Sequence, residues 1–140
     1  MLLEVASDWS FQIDRGPDWL FIRPCPPHAG DNPPHAGDNP PHAGDMGEFP
    51  LAETIWGSLE QAFCHRVVVE LDDVHFLRSW LVGELVRLHK RVTAHGGMMR
   101  VCGLSAASQD VLRTCRLLDR FPAYANRTAA VMGHRPQQPR

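Results

Sequence analysis

The apolar and polar positions divide the chain into short alternating runs and longer runs of helical period. Trp9-Ser10-Phe11-Gln12-Ile13-Asp14 alternates residue by residue, the pattern of a half-buried strand. Arg15-Gly16-Pro17-Asp18 is turn chemistry, and Trp19-Leu20-Phe21-Ile22-Arg23 predicts a second strand, paired with the first as a hairpin. After Pro50 the period lengthens. Leu51, Ile55, Leu59 and Phe63 recur at every fourth residue, with Ala52 and Trp56 beside them, so one apolar helical stripe is expected. Gly57 inside this helix reads as a place of close packing on a sheet.

Val67-Val68-Val69-Glu70-Leu71 has three consecutive β-branched residues, which predicts a central strand covered on both faces and paired in parallel. Asp72-Asp73 closes it, and Val74, Phe76 and Leu77 are expected to pack beneath the next helix. That helix runs from about Trp80 to Ala94, with Leu81, Leu85, Leu88 and Val92 on one face, and stops at His95-Gly96-Gly97. Met98 to Leu104 predicts another strand, parallel to Val67–Leu71. Ser105 is placed to cap a helix over 106–118 whose stripe is Val111, Leu112, Cys115 and Leu118. Asp119 to Tyr124 fits an edge strand, Asn126 to Met132 a last short helix, and Pro136 to Arg140 a frayed tail.

Between strand and helix the composition changes abruptly. Pro24 to Asp45 repeats the unit Pro-Pro-His-Ala-Gly-Asp-Asn, with His28, His35 and His42 in equivalent positions. Such Pro, Gly, Asn and Asp density suits neither helix nor strand, and it supplies almost no apolar side chains to offset ordering entropy. The segment is therefore expected to be a solvated, disordered insert. Its histidines are weak candidates for a metal site with the neighbouring aspartates, against a simpler expansion of a tolerated turn. The domain organisation expected is a hairpin over 1–23, the insert over 24–49, the rest of one domain over 50–133, and a tail over 134–140.

The 140 residues are 44% hydrophobic with a net charge of -2, which allows one core and lacks the basic balance of a nucleic-acid binder. Glu4 and Asp8 interrupt the first residues, so no signal peptide is expected, and no apolar run reaches the length of a membrane span. The four cysteines, Cys25, Cys64, Cys102 and Cys115, form no C-x-x-C pair and read as reduced, mostly buried thiols of a cytoplasmic protein. No nucleophile–base pair and no glycine-rich phosphate loop is visible. Asp72-Asp73 reads as a pair of solvated turn groups, so neither an enzyme nor a cofactor is expected.

From Val67 onward the punctuation is an apolar strand, an acidic turn, Val-x-Phe-Leu-x-Ser, a helix, Gly-Gly, then Met-Arg-Val-Cys-Gly-Leu-Ser. This order resembles the STAS domain of bacterial anti-sigma-factor antagonists, as does the ending Leu117-Leu118-Asp119-Arg120-Phe121-Pro122-Ala123-Tyr124. The resemblance implies a single α/β domain with a mixed sheet of four to five strands and helices mainly on one face. It also implies a partner-binding switch in signal transduction and transcription regulation. The partner would be an anti-sigma factor or serine kinase of the partner-switching type, and an oligomer is compatible.

The family usually carries Asp-Ser-Ser/Thr-Gly at the helix start. Here Arg78-Ser79-Trp80-Leu81 keeps only the serine that matches the phosphate acceptor. Ser79 is the phosphorylation candidate, with an N-cap role as the alternative. Arg78, Trp80, Leu81, Asp73 and His75 are candidate partner contacts, and Trp80 reads equally as core or as an interface anchor. A constitutive scaffold or oligomer subunit that has lost the switch is the competing function. Deleting Asn32 to Asp45 is expected to leave the midpoint of thermal unfolding nearly unchanged, as followed by circular dichroism; a large drop would refute the disordered insert.

Overall fold

The computed structural model of the protein describes residues 2–4, 9–26 and 50–133. Six strands form one mixed sheet in the order of the chain: β1 (Leu2–Glu4), β2 (Ser10–Arg15), β3 (Leu20–Cys25), β4 (Arg66–Glu70), β5 (Met98–Cys102) and β6 (Ala123–Tyr124). The first three pair antiparallel, and β3 to β6 are parallel neighbours. Four helices are interleaved among the described residues: α1 (Leu51–Gln61), α2 (Ser79–Ala94), α3 (Ala106–Thr114) and α4 (Arg127–Met132).

The fold class expected from the sequence holds, with one additional edge strand at Leu2–Glu4. The hairpin is present with Gly16 N–H donating to the Trp19 carbonyl at 2.8 Å. Its second strand continues through Pro24 and Cys25, two residues into the stretch assigned to the insert.

Strand alternation sorts the core into two layers. Leu20, Ile22, Val67, Val69, Met99 and Val101 face a large cluster with the stripes of α1 and α2. Trp19, Val68, Cys102 and Tyr124 face the other way and are covered by Ala130 of α4. Helices therefore lie mainly on one face, and Val67, Val68 and Val69 are all fully buried. Full burial of each valine stabilises the fold by roughly 1.5–3 kcal/mol.

Helix ends depart from the sequence reading in one systematic way. α3 stops at Thr114, four residues early, because Arg116 takes a left-handed φ of 59° and Leu117 N–H returns to the Leu112 carbonyl at 2.8 Å. Cys115 and Leu118 thereby leave the stripe, and Cys115 is exposed. α1 ends the same way, with Phe63 at φ 53° and Cys64 N–H on the Leu59 carbonyl at 3.0 Å. In α2 the left-handed position is Gly96, the residue that suits it best. The edge strand shrinks to Ala123–Tyr124, and Asn126 is the cap of α4, accepting from Ala129 N–H at 2.9 Å.

Gly97 lets β5 start against β4. Met98 N–H donates to the His65 carbonyl at 2.9 Å, and a Cβ on Gly97 would collide with that same carbonyl. Gly57 has open space around it, so close packing is not its role. Gly57→Ala is expected to raise unfolding free energy by about 0.5–1 kcal/mol through helix propensity, whereas Gly97→Ala should lower it, both read by urea denaturation.

Candidate functional site

The connection from β4 to α2 is the segment that carries most of the candidate residues. It is pinned at both ends by apolar side chains and by hydrogen bonds. Val74 and Leu77 are buried as expected. Leu71 N–H donates to the Cys102 carbonyl at 2.8 Å, and Val74 N–H to the Leu71 carbonyl at 3.1 Å. Ser105 caps α3 by accepting from Ser108 N–H at 3.1 Å, and its hydroxyl donates to the His75 carbonyl at 2.7 Å. The cap of one helix thus also holds the loop before another.

Phe76 breaks the expectation that the crossover's apolar residues lie under the helix. It is 55% exposed, above a hollow of about 350 Å³ formed with Ala107, Val111, Thr114 and Cys115 of α3 and its end. Sequence reasoning missed it because Val74, Phe76 and Leu77 have the same apolar character, and only the loop's conformation distinguishes them. His75 is exposed next to it, and Asp73 is half-buried. The Cys25 thiol lies 3.6 Å from Asp73 Oδ2, and burial, followed by this carboxylate, pushes its pKa up.

The start of α2 differs from the N-cap assignment. Arg78, not Ser79, occupies the cap position, with extended backbone (φ -79°, ψ 161°) and its carbonyl accepting from Val82 N–H at 3.0 Å. Ser79 is the first helical residue, exposed, and no side chain caps this end. The cap fails because Arg78 has no short side-chain oxygen to offer and Ser79 sits one position too late. Arg78 is exposed beside it.

Trp80 is half-buried, its ring edge-on to Trp9 with centroids 5.8 Å apart, so it contributes to the core while keeping a partly open edge. Leu81 is only 2% exposed inside the main core and is thereby removed from the contact surface. The surface brought together is Arg78, Ser79, His75 and Phe76, with Trp80 and Asp73 at its margin.

On the opposite sheet face, below the end of β4, lies a charged cluster. Glu70 is buried; Arg127 of α4 donates to both its oxygens, at 3.0 and 2.8 Å, and also to Asp14 at 3.1 Å. Those partners, Glu70 foremost, raise the Arg127 pKa. Arg23 stands 3.9 Å from both Glu70 and Asp72. Glu70, Asp72 and Cys102 present donor atoms within 4.8 Å of one another. The carboxylates are engaged by arginines, however, and burial with the two carboxylates pushes the Cys102 thiol up to about 12. That set is chemically an ion-pair network beside a protonated thiol. His28, His35 and His42 lie outside the described residues.

All four thiols are free, and only Cys102 is buried, contrary to the expectation of mostly buried cysteines. Among the described residues no helix is long and apolar enough to cross a membrane.

A mixed-sheet α/β domain whose parallel strands cross over through α2, with an exposed serine in that helix's first turn, defines the class. The STAS domain model matches residues 28–130, well over half of the chain, and the chain belongs to the STAS domain family. The match crosses the repeat segment and begins after the hairpin. No curated protein sequence matches the chain.

Solved structures share the fold at low identity. A putative anti-sigma factor antagonist from Thermotoga maritima is 15% identical, with a TM-score of 0.63 over 88% of this chain and 92% of that one. An anti-sigma factor antagonist from Mycobacterium paratuberculosis is 14% identical, with a TM-score of 0.62 over 94% and 97%. A chain of the stressosome, a signal integration and transduction hub, is 10% identical, with a TM-score of 0.63 over 87% and 94%.

The thiol environments predict an order of reactivity. Iodoacetamide near neutral pH should label exposed Cys115 first and Cys102 last, as followed by peptide mass spectrometry. Because the Cys102 pKa is raised from 9.0 to about 12, its contribution to stability is complete below pH 9 and is lost as pH rises towards 12. Cys102→Ala should flatten that alkaline fall.

Proposed function

We propose that the protein is a regulatory binding module of the anti-sigma-factor-antagonist type, docking a protein partner through the start of α2 and the crossover before it. The observation that carries this reading is the exposed Ser79 in the first turn of α2, next to exposed Arg78 and Phe76, in a chain of the STAS family. Phe76 supplies an apolar contact; Arg78 and His75 supply polar ones; Trp80 and Asp73 support them from the margin. The role is binding, not catalysis.

Phosphorylation of Ser79 is the switch in this proposal. A phosphoryl group adds close to two negative charges where the first-turn amides of a 16-residue helix point outward, and Arg78 is in place to pair with it. The same charge would disrupt an apolar contact at Phe76. The partner is an anti-sigma factor or serine kinase of the partner-switching type, in the cytoplasm of a bacterium. A constitutive scaffold is the second reading. It is supported by the likeness to a stressosome chain and by Arg78, Trp80 and Leu81 standing where the family has Asp, Ser or Thr, and Gly.

Incubation with such a kinase and ATP, followed by phosphopeptide mapping, is expected to place phosphate on Ser79. Ser79→Asp should weaken partner binding by about tenfold or more, measured by calorimetry, through added charge at the docking surface. Phe76→Ser should weaken binding without changing thermal stability. Binding indifferent to Ser79→Asp but lost with Phe76→Ser would reject the switch and favour the scaffold; binding indifferent to both would remove this surface from the function.

A further inference from the structure

Two histidines meet where α2 ends, at the far end of that helix from Ser79. His65 directly precedes β4, and His95 is the C-cap of α2. Arg66 stands over Trp19 on the α4 face of the sheet, while His65, one residue earlier, lies against Trp56 of α1. Gly97 permits the meeting. Met98 N–H bonds the His65 carbonyl, and a Cβ at Gly97 would collide with the His65 backbone and with its Cβ. Gly96 turns the chain just before it, with a φ of 75°. Both imidazoles are exposed, yet each is carried by backbone that the fold holds in place.

The buried indole of Trp56 sets their spacing. His65 stacks on it at 19° with centroids 6.0 Å apart, and His95 leans on it at 51° and 4.6 Å. The two imidazoles are themselves 6.2 Å apart. Rings on opposite faces of the indole would stand much farther from each other, so both occupy one side of it. With nitrogen–metal bonds of 2.0–2.1 Å, two imidazoles sharing one ion have ring centres roughly 5–6.5 Å apart. The observed separation falls in that range.

His95 has the tautomer that a metal ligand requires. Its Nδ1 lies 2.9 Å from the Arg91 carbonyl oxygen, which can only accept. In the neutral ring Nδ1 therefore carries the hydrogen and Nε2 the free lone pair. A backbone carbonyl is a common outer partner of metal-bound histidine. The local field also suits a cation. α1 and α2 both finish at this place, and helix C-termini carry partial negative charge. Arg91, 4.9 Å from the Trp56 centroid, is paired with Glu53 at 2.7 Å.

We propose that His65 and His95 form a binding site for a late first-row divalent cation of the zinc or nickel type, with water in the remaining positions. Imidazole suits these ions, whereas magnesium and calcium favour oxygen ligands. Bound there, the ion ties the end of α2 to the start of β4.

Ni²⁺ and Mg²⁺ are the probes, and the background is the untagged full chain carrying His28→Ala, His35→Ala and His42→Ala, which removes the histidines of the repeat. Calorimetry should show a Ni²⁺ site that Mg²⁺ does not occupy. His65→Gln and His95→Gln should each weaken it by about tenfold or more, at least the loss that removing an outer partner of a bound metal causes. Ni²⁺ should raise the thermal midpoint, and either variant should abolish that rise while leaving the metal-free midpoint nearly unchanged. Trp56→Phe should remove most of the Ni²⁺ quenching of tryptophan fluorescence and keep the calorimetric affinity, which locates the ion beside that indole. No Ni²⁺ binding at millimolar concentration, or binding that survives the double substitution His65→Gln/His95→Gln, overturns the proposal. Binding lost when the thiols are blocked with iodoacetamide overturns it in favour of a cysteine site.

Discussion

A strand with no solvent on either side sets the terms for the rest of this fold. Val67 and Val69 press into the α1 and α2 layer while Val68 faces α4, so β4 is stable only as the middle of three layers. A buried strand must also find partners for every backbone group, and β3 and β5 supply them on both edges in parallel. Its last residue, Glu70, carries a carboxylate into the interior, where an uncompensated charge is strongly destabilising. Arg127 answers that need from α4 with two hydrogen bonds, and Arg23 stands beside it from β3. The six-residue α4 is therefore both lid and counter-ion. Arg100 fastens its far end by donating to the Ala130 carbonyl at 2.6 Å.

Parallel pairing has a second consequence, because it gathers like ends together. The crossovers leave β4 and β5 at their carboxyl ends, so the loop before α2 and the start of α3 become neighbours; Ser105 joins them through His75. At the amino ends the returning turns converge instead, bringing Arg15, Phe63, Arg66 and Gly97 around one cleft although they are far apart in sequence. Neither grouping needs long loops. Each follows from strands that run the same way and connections that must return.

Periodicity made the elements legible where side chains pack in a regular rhythm. The alternation in β2 and β3, the valines of β4 and the stripes of α1 and α2 each have one burial pattern consistent with their spacing. What it left obscure were single-residue decisions of the backbone. Arg116 turning left-handed ends α3, and nothing in Cys115-Arg116-Leu117 announces it as Gly96 does for α2. Ser79 looks like a cap because serine caps helices, yet the cap position belongs to Arg78, and that difference of one residue follows from the loop's path. Phe76 and Leu77 are adjacent and both apolar, but facing opposite ways one becomes surface and the other core.

The helix α2 touches both poles, beginning at Ser79 and ending beside Gly97, about 24 Å apart at 1.5 Å per residue. Leu81, Leu85, Leu88 and Val92 seat its whole length in the main core, and Glu84 accepts from Ala52 N–H at 3.0 Å to tie it to the start of α1. A close-packed stripe of that kind resists gradual deformation. Binding at one pole alters the other only if the ligand discriminates between two placements of the entire helix, and the coupling cannot exceed that difference in affinity. The α1–α2 contact is where such a second placement would have to be accommodated. Glu53 and Arg91 sit there, paired at 2.7 Å near the surface, and Arg91 also stands 4.9 Å from the Trp56 centroid. An exposed pair of this sort is worth little net energy. The apolar stripe, not the ion pair, therefore keeps α2 in one position.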